Sequence, residues 1–565
     1  MSDTTTLLRD AMSWIDQDPD AVTRKALALL IEKVETGNEE ALAELSDRFA
    51  GHLTFGTAGL RAEICAGPMR MNRVVVSHAA HGLGKFLLEH VSGHTPRVVI
   101  GYDARHNSDV FARDTAEVMA GMGITPLLFS MHTPTPVLAF ALRHLDADAG
   151  VMVTASHNPP ADNGYKVYLG GADEGSQIVP PADSSIHQAI MDSHNSIKAT
   201  EMPRSTDSIE TLGQDIVTAY EDATLNVASQ FGLVGREELS ICYTPMHGVG
   251  AAVFEELMRR AGFTNLHVVS SQRVPDPDFP TVSFPNPEEP GALDLAIALA
   301  TEKNADLIVA NDPDADRLAL AVRNPDGSGY TPMTGNEVGA FLASVVAEKA
   351  KDSAAQGILG FSIVSSPITK KIAEHNGLGA TETPTGFKWI SRLPGLLFGF
   401  EEALGYLVNP DTVRDKDGLS AALYALCVAA ELKTQGKTLW DALDDLYATY
   451  GGFASGQVSL RFESPEVAQS LMVEVRKDPT GVFERLEIAS IQDYRTPPAG
   501  QPEADLVRFN LASGDRIIMR PSGTEPKLKV YLDTLSSSKA AANQALEDLT
   551  TAVKAGVDRL VKGLS

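Results

Sequence analysis

Arg97-Val98-Val99-Ile100-Gly101-Tyr102-Asp103, leading through a small-residue loop and a helical stretch to Leu127-Leu128-Phe129, decides the fold. A short apolar run, a helix and a second apolar run in that order read as a βαβ unit. The same order recurs in Leu239-Ser240-Ile241-Cys242-Tyr243-Thr244-Pro245 running to His267-Val268-Val269, and again from residues 357–363 to Ala380. Each unit should nucleate its own mixed sheet with helices on both faces, joined by right-handed crossovers. The repetition is faint in sequence, so three independent α/β domains would look much the same. Residues 4–48, rich in Ala, Leu and Glu at helical spacing, predict an N-terminal helical extension. The polar stretch 195–208 reads as a linker. Beyond about residue 450 the pattern changes: strand-like pieces at 457–461, 506–511 and 516–519 precede an Ala-rich helix at 538–561. That order predicts a smaller α+β domain at the C-terminal end.

Length and composition agree with a large enzyme. At 565 residues the chain has room for roughly four domains of about 150 residues, and 43% hydrophobic residues can fill their cores. No apolar stretch approaches the about 20 residues of a membrane span, and the acidic residues 1–20 do not read as a signal peptide. Cys65, Cys242 and Cys427 lie far apart, which favours a reducing cytoplasm over disulfides or a zinc cluster. A net charge of −27 disfavours nucleic acid or an anionic membrane as partner.

Chemistry concentrates in four loops. Asp312-Pro313-Asp314-Ala315-Asp316-Arg317 lies between strand-like runs at 305–310 and 318–322. In an extended loop its alternate carboxylates would share one face, which suits a hard cation with oxygen ligands, Mg²⁺ foremost; a solvated acidic turn is the competing reading. An EF-hand is excluded, because Arg317 stands where that loop needs Gly and Arg323 where it needs Glu. In Val151-Met152-Val153-Thr154-Ala155-Ser156-His157-Asn158-Pro159-Pro160 an apolar strand runs into Ser156 before a Pro pair. Ser156 can belong to a local turn, act as a hydrolase nucleophile or carry a phosphoryl group. The hydrolase reading lacks its Gly-x-Ser-x-Gly elbow, and a phosphoserine would add an oxygen ligand to the same cation. His157, next in sequence, is expected to point away from Ser156.

Arg520-Pro521-Ser522-Gly523-Thr524-Glu525-Pro526-Lys527 lies between strand-like 516–519 and 528–532. It is either a plain hairpin turn or a phosphate cradle of backbone N–H groups and hydroxyls, rimmed by Arg520 and Lys527. Gly399-Phe400-Glu401-Glu402-Ala403-Leu404-Gly405-Tyr406 sets paired carboxylates beside glycines. They suit acceptors for sugar hydroxyls, or else the acidic first turn of a helix.

Together, Thr154-Ala155-Ser156-His157-Asn158-Pro159, Asp312-Pro313-Asp314-Ala315-Asp316-Arg317, Phe400-Glu401-Glu402-Ala403 and Arg520-Pro521-Ser522-Gly523-Thr524-Glu525-Pro526 resemble, in order, the four signature loops of the α-D-phosphohexomutase superfamily. Phe55-Gly56-Thr57-Ala58-Gly59-Leu60-Arg61 adds a fifth match. Asp276-Pro277-Asp278-Phe279-Pro280-Thr281-Val282 and Thr385-Gly386-Phe387-Lys388-Trp389 are similar to the branch holding phosphoglucomutase-2 and phosphopentomutase type enzymes.

The resemblance implies three similar mixed-sheet α/β domains followed by a smaller α+β C-terminal domain around a central active-site cleft, over which the last domain closes. Residues 1–207 would form the first domain with its helical extension and phosphoserine loop, and 208–323 the second with the metal loop. Residues 324–450 would form the third with the sugar loop, and 451–565 the last with the phosphate loop. It implies a cytoplasmic mutase interconverting glucose 1-phosphate and glucose 6-phosphate through a phosphoserine, with Mg²⁺ and with glucose 1,6-bisphosphate as activator and intermediate. Phosphopentomutase and phosphomannomutase are the alternatives, and monomer and homodimer both stay open.

Ser156, Asp312, Asp314 and Asp316 would hold the metal, and Ser156, Arg61, Lys166, Lys416 and His157 would serve catalysis. Arg317, Gly386, Lys388, Glu401, Glu402, Arg520, Ser522, Gly523 and Thr524 would bind substrate. A lysine acting as base would need a lowered pKa; plain phosphate pairing competes with that role. Ala403 stands where many glucose and mannose mutases carry Ser, and the missing hydroxyl puts strict hexose selectivity in question. A phosphatase that leaks phosphate to water and a non-catalytic phosphosugar sensor are the readings of other classes. With an acidic surface, the phosphosugar site must be a local island of Arg and Lys.

Overall fold

The computed structural model describes residues 4–56, 59–462, 465–483, 486–498, 503–521 and 527–564. They pack as two units, Met1–Pro332 with Gly405–Thr434, and Met333–Leu404 with Gln435–Ser565.

The first unit holds two mixed sheets. In the first, strands run in the order Leu60–Glu63, Asp162–Leu169, Ala149–Val153, Arg97–Tyr102, Thr125–Phe129 and Glu210–Leu212. The inner pairs around Arg97–Tyr102 are parallel, while Asp162–Leu169 runs antiparallel to both of its neighbours. Every residue of Ala149–Val153 is buried, as expected for a strand covered on both faces. The residues just beyond the linker read at 195–208 are not yet the next domain, because Glu210–Leu212 pairs with Thr125–Phe129 and completes this sheet. Three residues with only one apolar side chain facing inward give too short a pattern to be read as a strand.

The second sheet has the order Tyr330–Pro332, Ala319–Arg323, Leu307–Ala310, Ile241–Thr244 and Leu266–Val268. Its central Leu307–Ala310 is parallel to Ile241–Thr244 and antiparallel to Ala319–Arg323. The helix Gly418–Thr434 is buried along nearly all of its first thirteen residues and packs on the helices Gln214–Ala228 and Ala251–Ala261. A helix apolar on every side gives no stripe from which to read its packing partners.

The second unit contains the parallel strands Gly379–Thr383, Ile358–Ser362 and Leu396–Glu401. It also holds an antiparallel sheet in the order Gly452–Arg461, Lys527–Ser536, Arg516–Pro521, Val507–Leu511 and Ile488–Asp493. The helix Lys539–Leu564 covers Gly452–Arg461 and Lys527–Ser536. Three α/β domains and a smaller α+β domain thus follow in the expected order.

The N-terminal extension is three helices, Thr4–Gln17, Ala21–Glu35 and Glu39–Arg48. Leu7, Ala11 and Trp14 recur at helical spacing and are buried. Where these helices meet the first domain, Trp14, Phe49, His52, His78 and His194 line one cavity of about 270 Å³. His78 stacks on His194 with ring centroids 3.8 Å apart, and the Nδ1 atoms of His78 and His81 both contact Ser193 Oγ, at 3.0 and 2.9 Å. Burial, and then repulsion between the rings, pushes His78 down to about 3 and His194 to about 2.

Both rings are therefore neutral in the folded state, while the unfolded chain protonates them near 6.5. Their contribution to stability is full above pH 6.5 and drains as the pH falls from there toward about 3. Each ring can add at most about 1.4 kcal/mol per pH unit to that slope. Urea titrations of wild type and His194→Gln between about pH 6 and pH 4 should show the variant losing stability less steeply. Parallel curves would exclude the effect.

Candidate active site

The end of a fully buried strand aims Ser156. After Ala149–Val153 the chain turns, and Ser156 adopts a left-handed φ of 51°, a conformation uncommon outside Gly, Asn and Asp. Its N–H donates to Thr154 Oγ1 at 2.8 Å, while Thr154 Oγ1 donates to Asp103 Oδ2 at 2.6 Å. Arg105 braces the loop from behind. Its guanidinium donates to the carbonyls of Ser156 (2.7 Å), Asn158 (2.5 Å), Pro159 (2.8 Å) and Asp162 (3.1 Å). Asp103 and Arg105 sit immediately after the strand Arg97–Tyr102, and sequence reading passed over them; the only signal was an acid and a base two residues apart at a strand end.

The acidic loop joins Leu307–Ala310 to Ala319–Arg323. It is a turn, not an extended segment: Ala315 has a φ of 58° and its N–H donates to the Asp312 carbonyl at 2.9 Å. The three carboxylates converge nonetheless, with one oxygen from each within 4.8 Å of the others, and all three residues are fully buried. This burial excludes the solvated acidic turn. The two loops meet where Ser156 Oγ donates to Asp312 Oδ2 at 2.8 Å.

Three cations face the triplet. Lys166 Nζ donates to Asp314 Oδ2 (2.7 Å) and Asp316 Oδ2 (3.0 Å), and Lys416 Nζ to Asp316 Oδ2 (2.8 Å). Arg317 Nε lies 3.9 Å from Asp312 Oδ2 and 4.0 Å from Asp316 Oδ1, while its backbone N–H donates to Asp312 Oδ1 at 3.0 Å. Thr135 Oγ1 donates to Asp314 Oδ2 at 2.7 Å.

Burial alone would raise all three carboxylates. Lys166 and Lys416 overcome it at Asp314 and Asp316, which lie below the usual range, whereas at Asp312, which bonds no lysine, burial and two neighbouring like charges outweigh Arg317 and Lys416 and hold it well above that range. For Lys166 burial acts downward, yet Asp314, Asp316 and Asp415 outweigh it and raise the ammonium. The lowered pKa that a lysine base requires is thus absent at Lys166.

His157 does not point away. Its Nδ1 lies 3.2 Å from Ser156 Oγ, because the left-handed turn at Ser156 brings the next side chain back toward the hydroxyl. Burial, with Arg317, Arg61 and Lys416 nearby, holds its ring well below 6.5 and so neutral. Arg61 is exposed on the strand Leu60–Glu63, paired in register with Gly164, and its Nη1 donates to Asn158 Oδ1 at 3.2 Å. Gly164 permits this approach, since a Cβ there would stand 2.6 Å from the Thr154 carbonyl oxygen and 2.9 Å from that of Leu60.

Two carboxylate oxygens, Asp314 Oδ1 and Asp316 Oδ1, are buried without a hydrogen-bond partner. Orphan acceptors of this kind are costly unless something electropositive meets them. Hard oxygen donors in an acidic cluster fit a divalent cation of the Mg²⁺ class.

In the second unit, Glu401 ends a strand and does not open a helix. Its Oε1 accepts from the Gly386 N–H at 2.7 Å, and Glu402 Oε2 accepts from Ser362 (3.1 Å) and Ser365 (3.2 Å) hydroxyls. Gly386 needs its freedom, with a φ of 112°, and Lys388 Nζ lies 5.8 Å from the centroid of the Trp389 ring. Arg520 lies on the strand Arg516–Pro521, opposite Lys529. Ser522, Gly523 and Thr524, expected in the phosphate cradle, lie outside the described residues.

Four domain signatures match the chain. The phosphoglucomutase/phosphomannomutase α/β/α domains I, II and III match residues 52–196, 219–327 and 334–450, and the C-terminal domain of that family matches 463–549. A protein of Haemophilus influenzae described as a probable phosphomannomutase is 48% identical over 86% of this chain and 97% of its own length. A phosphoglucomutase of Staphylococcus aureus is 33% identical over 86% of this chain and 91% of its own. The crystal structure of parafusin, an exocytosis-sensitive phosphoprotein and phosphoglucomutase from Paramecium in its open form, superposes with a TM-score of 0.70. At 19% identity, over 90% of this chain and 96% of that one, it shows the shared fold.

Filling the orphan oxygens should stabilise the folded state. At about a hundredfold excess of Mg²⁺ over its Kd, wild type should gain about 2.7 kcal/mol, read as an upward shift in the thermal transition. Asp314→Asn should shift little under the same titration. A wild-type transition insensitive to the cation would remove the metal reading.

Proposed function

Because the chain belongs to the phosphoglucomutase/phosphomannomutase family of the α-D-phosphohexomutase superfamily, we propose that it interconverts glucose 1-phosphate and glucose 6-phosphate through a phosphorylated Ser156. The observation that carries this reading is the Ser156 hydroxyl 2.8 Å from Asp312, in a loop whose neighbours Asp314 and Asp316 each keep an unpartnered oxygen.

Phospho-Ser156 would pass its phosphoryl group to a sugar hydroxyl: the bond from Ser156 Oγ to phosphorus breaks as one from the sugar oxygen to phosphorus forms, and the proton lost by the sugar hydroxyl ends on the released Ser156 Oγ. The glucose 1,6-bisphosphate so made reorients and returns its other phosphate to Ser156. Mg²⁺ held by Asp312, Asp314 and Asp316 would draw charge from the transferring group. Arg61 and Arg317 can grip phosphate oxygens bidentately, which gains value as charge spreads in the transition state. Neutral His157, with Nδ1 at 3.2 Å, can take the Ser156 proton when the hydroxyl attacks the bisphosphate. Lys166 and Lys416 act as counter-charges that keep the acidic loop assembled. Glu401, Glu402, Gly386, Lys388, Arg520, Ser522, Gly523 and Thr524 are assigned to the sugar and its distal phosphate by their loops alone. A cytoplasmic setting suits such metabolism and three cysteines that form no disulfide.

A second reading has its own support, since the Haemophilus relative at 48% identity is described as a phosphomannomutase. The two sugars differ at one hydroxyl, and losing one buried hydrogen bond is worth about 1 to 3 kcal/mol, so a single contact can tip the preference. Ala403 lacks the hydroxyl found there in many hexose mutases, which extends the question to pentose phosphates.

Side-by-side kcat/KM values for the 1-phosphates of glucose, mannose, ribose and deoxyribose should place glucose first, with turnover stimulated by catalytic glucose 1,6-bisphosphate. A higher value for mannose would reassign the enzyme as a phosphomannomutase, and inorganic phosphate released at the isomerisation rate would make it a phosphatase. Ser156→Ala should lower turnover by more than about 10³-fold; unchanged turnover would end the phosphoserine scheme.

A further inference from the structure

Residues 276–288 touch both catalytic loops, although no step of the proposed chemistry uses them. Asp276-Pro277-Asp278-Phe279 folds into a turn in which the Phe279 N–H donates to the Asp276 carbonyl at 3.2 Å. Phe279 sits at a φ of 46° and is 3% exposed. An aromatic residue in the left-handed region is strained, and such strain persists only where surrounding contacts enforce it.

Those contacts reach the nucleophile loop. The Phe279 ring lies under the Arg105 guanidinium, 4.9 Å from carbon to ring centroid. This is the same guanidinium whose donors hold the carbonyls of Ser156, Asn158, Pro159 and Asp162. One residue before, Asp278 Oδ1 meets His106 Nε2 at 2.7 Å. Further on, the Phe284 ring meets His157 edge-on at 6.1 Å, and Glu288 Oε2 lies 3.9 Å from Arg317 Nη1.

The other side is tied to the acidic loop. Thr281 Oγ1 contacts His247 Nε2 and accepts from Gln272 Nε2, both at 2.8 Å, and the Asp276 N–H donates to the His247 carbonyl at 3.0 Å. Two residues along, the Val249 N–H donates to the Pro313 carbonyl at 2.8 Å, and a Cβ on Gly248 would stand 2.4 Å from Pro313 Cα. One segment thus grips Arg105 on one side and, through residues 247–249, Pro313 of the acidic loop on the other.

We infer that residues 276–288 form a strap that sets the position of Ser156 relative to Asp312, and that Phe279 is its positioning residue, acting through Arg105. A cation over an aromatic face is held laterally as well as in depth, so the ring restricts where the guanidinium, and with it the Ser156 loop, can settle. The catalytic consequence rests on the phosphoserine reading above; the mechanical one does not.

Phe279→Leu keeps apolar bulk but removes the ring face. It should lower kcat on the order of tenfold with KM within about twofold, because misplacing a reacting atom costs turnover more than binding. Amide hydrogen exchange should rise in residues 154–162 and stay unchanged in the second sheet of the first unit. Phe279→Tyr, which keeps the ring, should recover most of both effects. Should the leucine variant fold poorly, Asp278→Ala, at a position 75% exposed, should loosen the same loop to a smaller degree. Unchanged exchange at 154–162 in both variants overturns the strap, as does a rise spread evenly over the domain. Localised loosening beside a wild type that shows no mutase turnover would keep the strap and discard the proposed function.

Discussion

Three carboxylates fully buried in one turn are the constraint on which the first unit depends. Each ion taken from water costs several kcal/mol, roughly, and like charges at this spacing add repulsion, so the turn survives only with cations and donors brought to it. The chain supplies them from distant places. Lys166 comes from the antiparallel strand of the first sheet, Thr135 from the start of a helix in the same domain, and Lys416 from the segment before the helix Gly418–Thr434. Removing either lysine would strip positive charge from the buried triplet, and removing Thr135 would take a donor from Asp314, so the packing of these segments and the integrity of the acidic loop are one problem with one solution.

The compensation is uneven, and the unevenness has a chemical use. Asp314 and Asp316 are served by lysines and stay ionised, yet each keeps one oxygen without a partner. Asp312 bonds no lysine and instead holds the Ser156 hydroxyl and the Arg317 N–H. The Ser156 hydroxyl therefore docks on the member of the triplet that bonds no lysine, on the side where Arg317 and His157 stand. A stabilising arrangement and a reactive one coincide because both require charge to converge on the same few ångströms.

What the sequence disclosed and what it hid follow from the range of the interactions. Apolar runs ending in Asp312 or Ser156 are local signals, and a triplet of acids or a Ser before a Pro pair needs no tertiary context to be noticed. The orientation of His157 was hidden, since it depends on one left-handed φ at Ser156, a residue type that seldom adopts it. Arg105 was hidden for a different reason: its donors reach carbonyls more than fifty positions away, and nothing near it in sequence marks a partner. The strand Glu210–Leu212 escaped because it is too short to show which neighbour it joins.

The phosphosugar of the proposed function is dianionic, yet the chain carries a net charge of −27. At physiological salt, fields from exposed acids fade over about 8 Å, so distant surface charge cannot set the affinity of the site. The local balance does. Arg61, Arg105, Lys166, Arg317 and Lys416 gather around Asp103, Asp312, Asp314, Asp316 and Asp415, so that cations and carboxylates are matched within one patch. Two of those arginines are already committed, Arg105 to the backbone of the Ser156 loop and Arg317 partly to the acidic loop, which leaves Arg61, exposed and bound by one long hydrogen bond to Asn158, the most readily redirected. On the proposed function, an incoming phosphate would therefore meet a cation able to leave its partner at small cost, while the cations that hold the acidic loop together would remain in place.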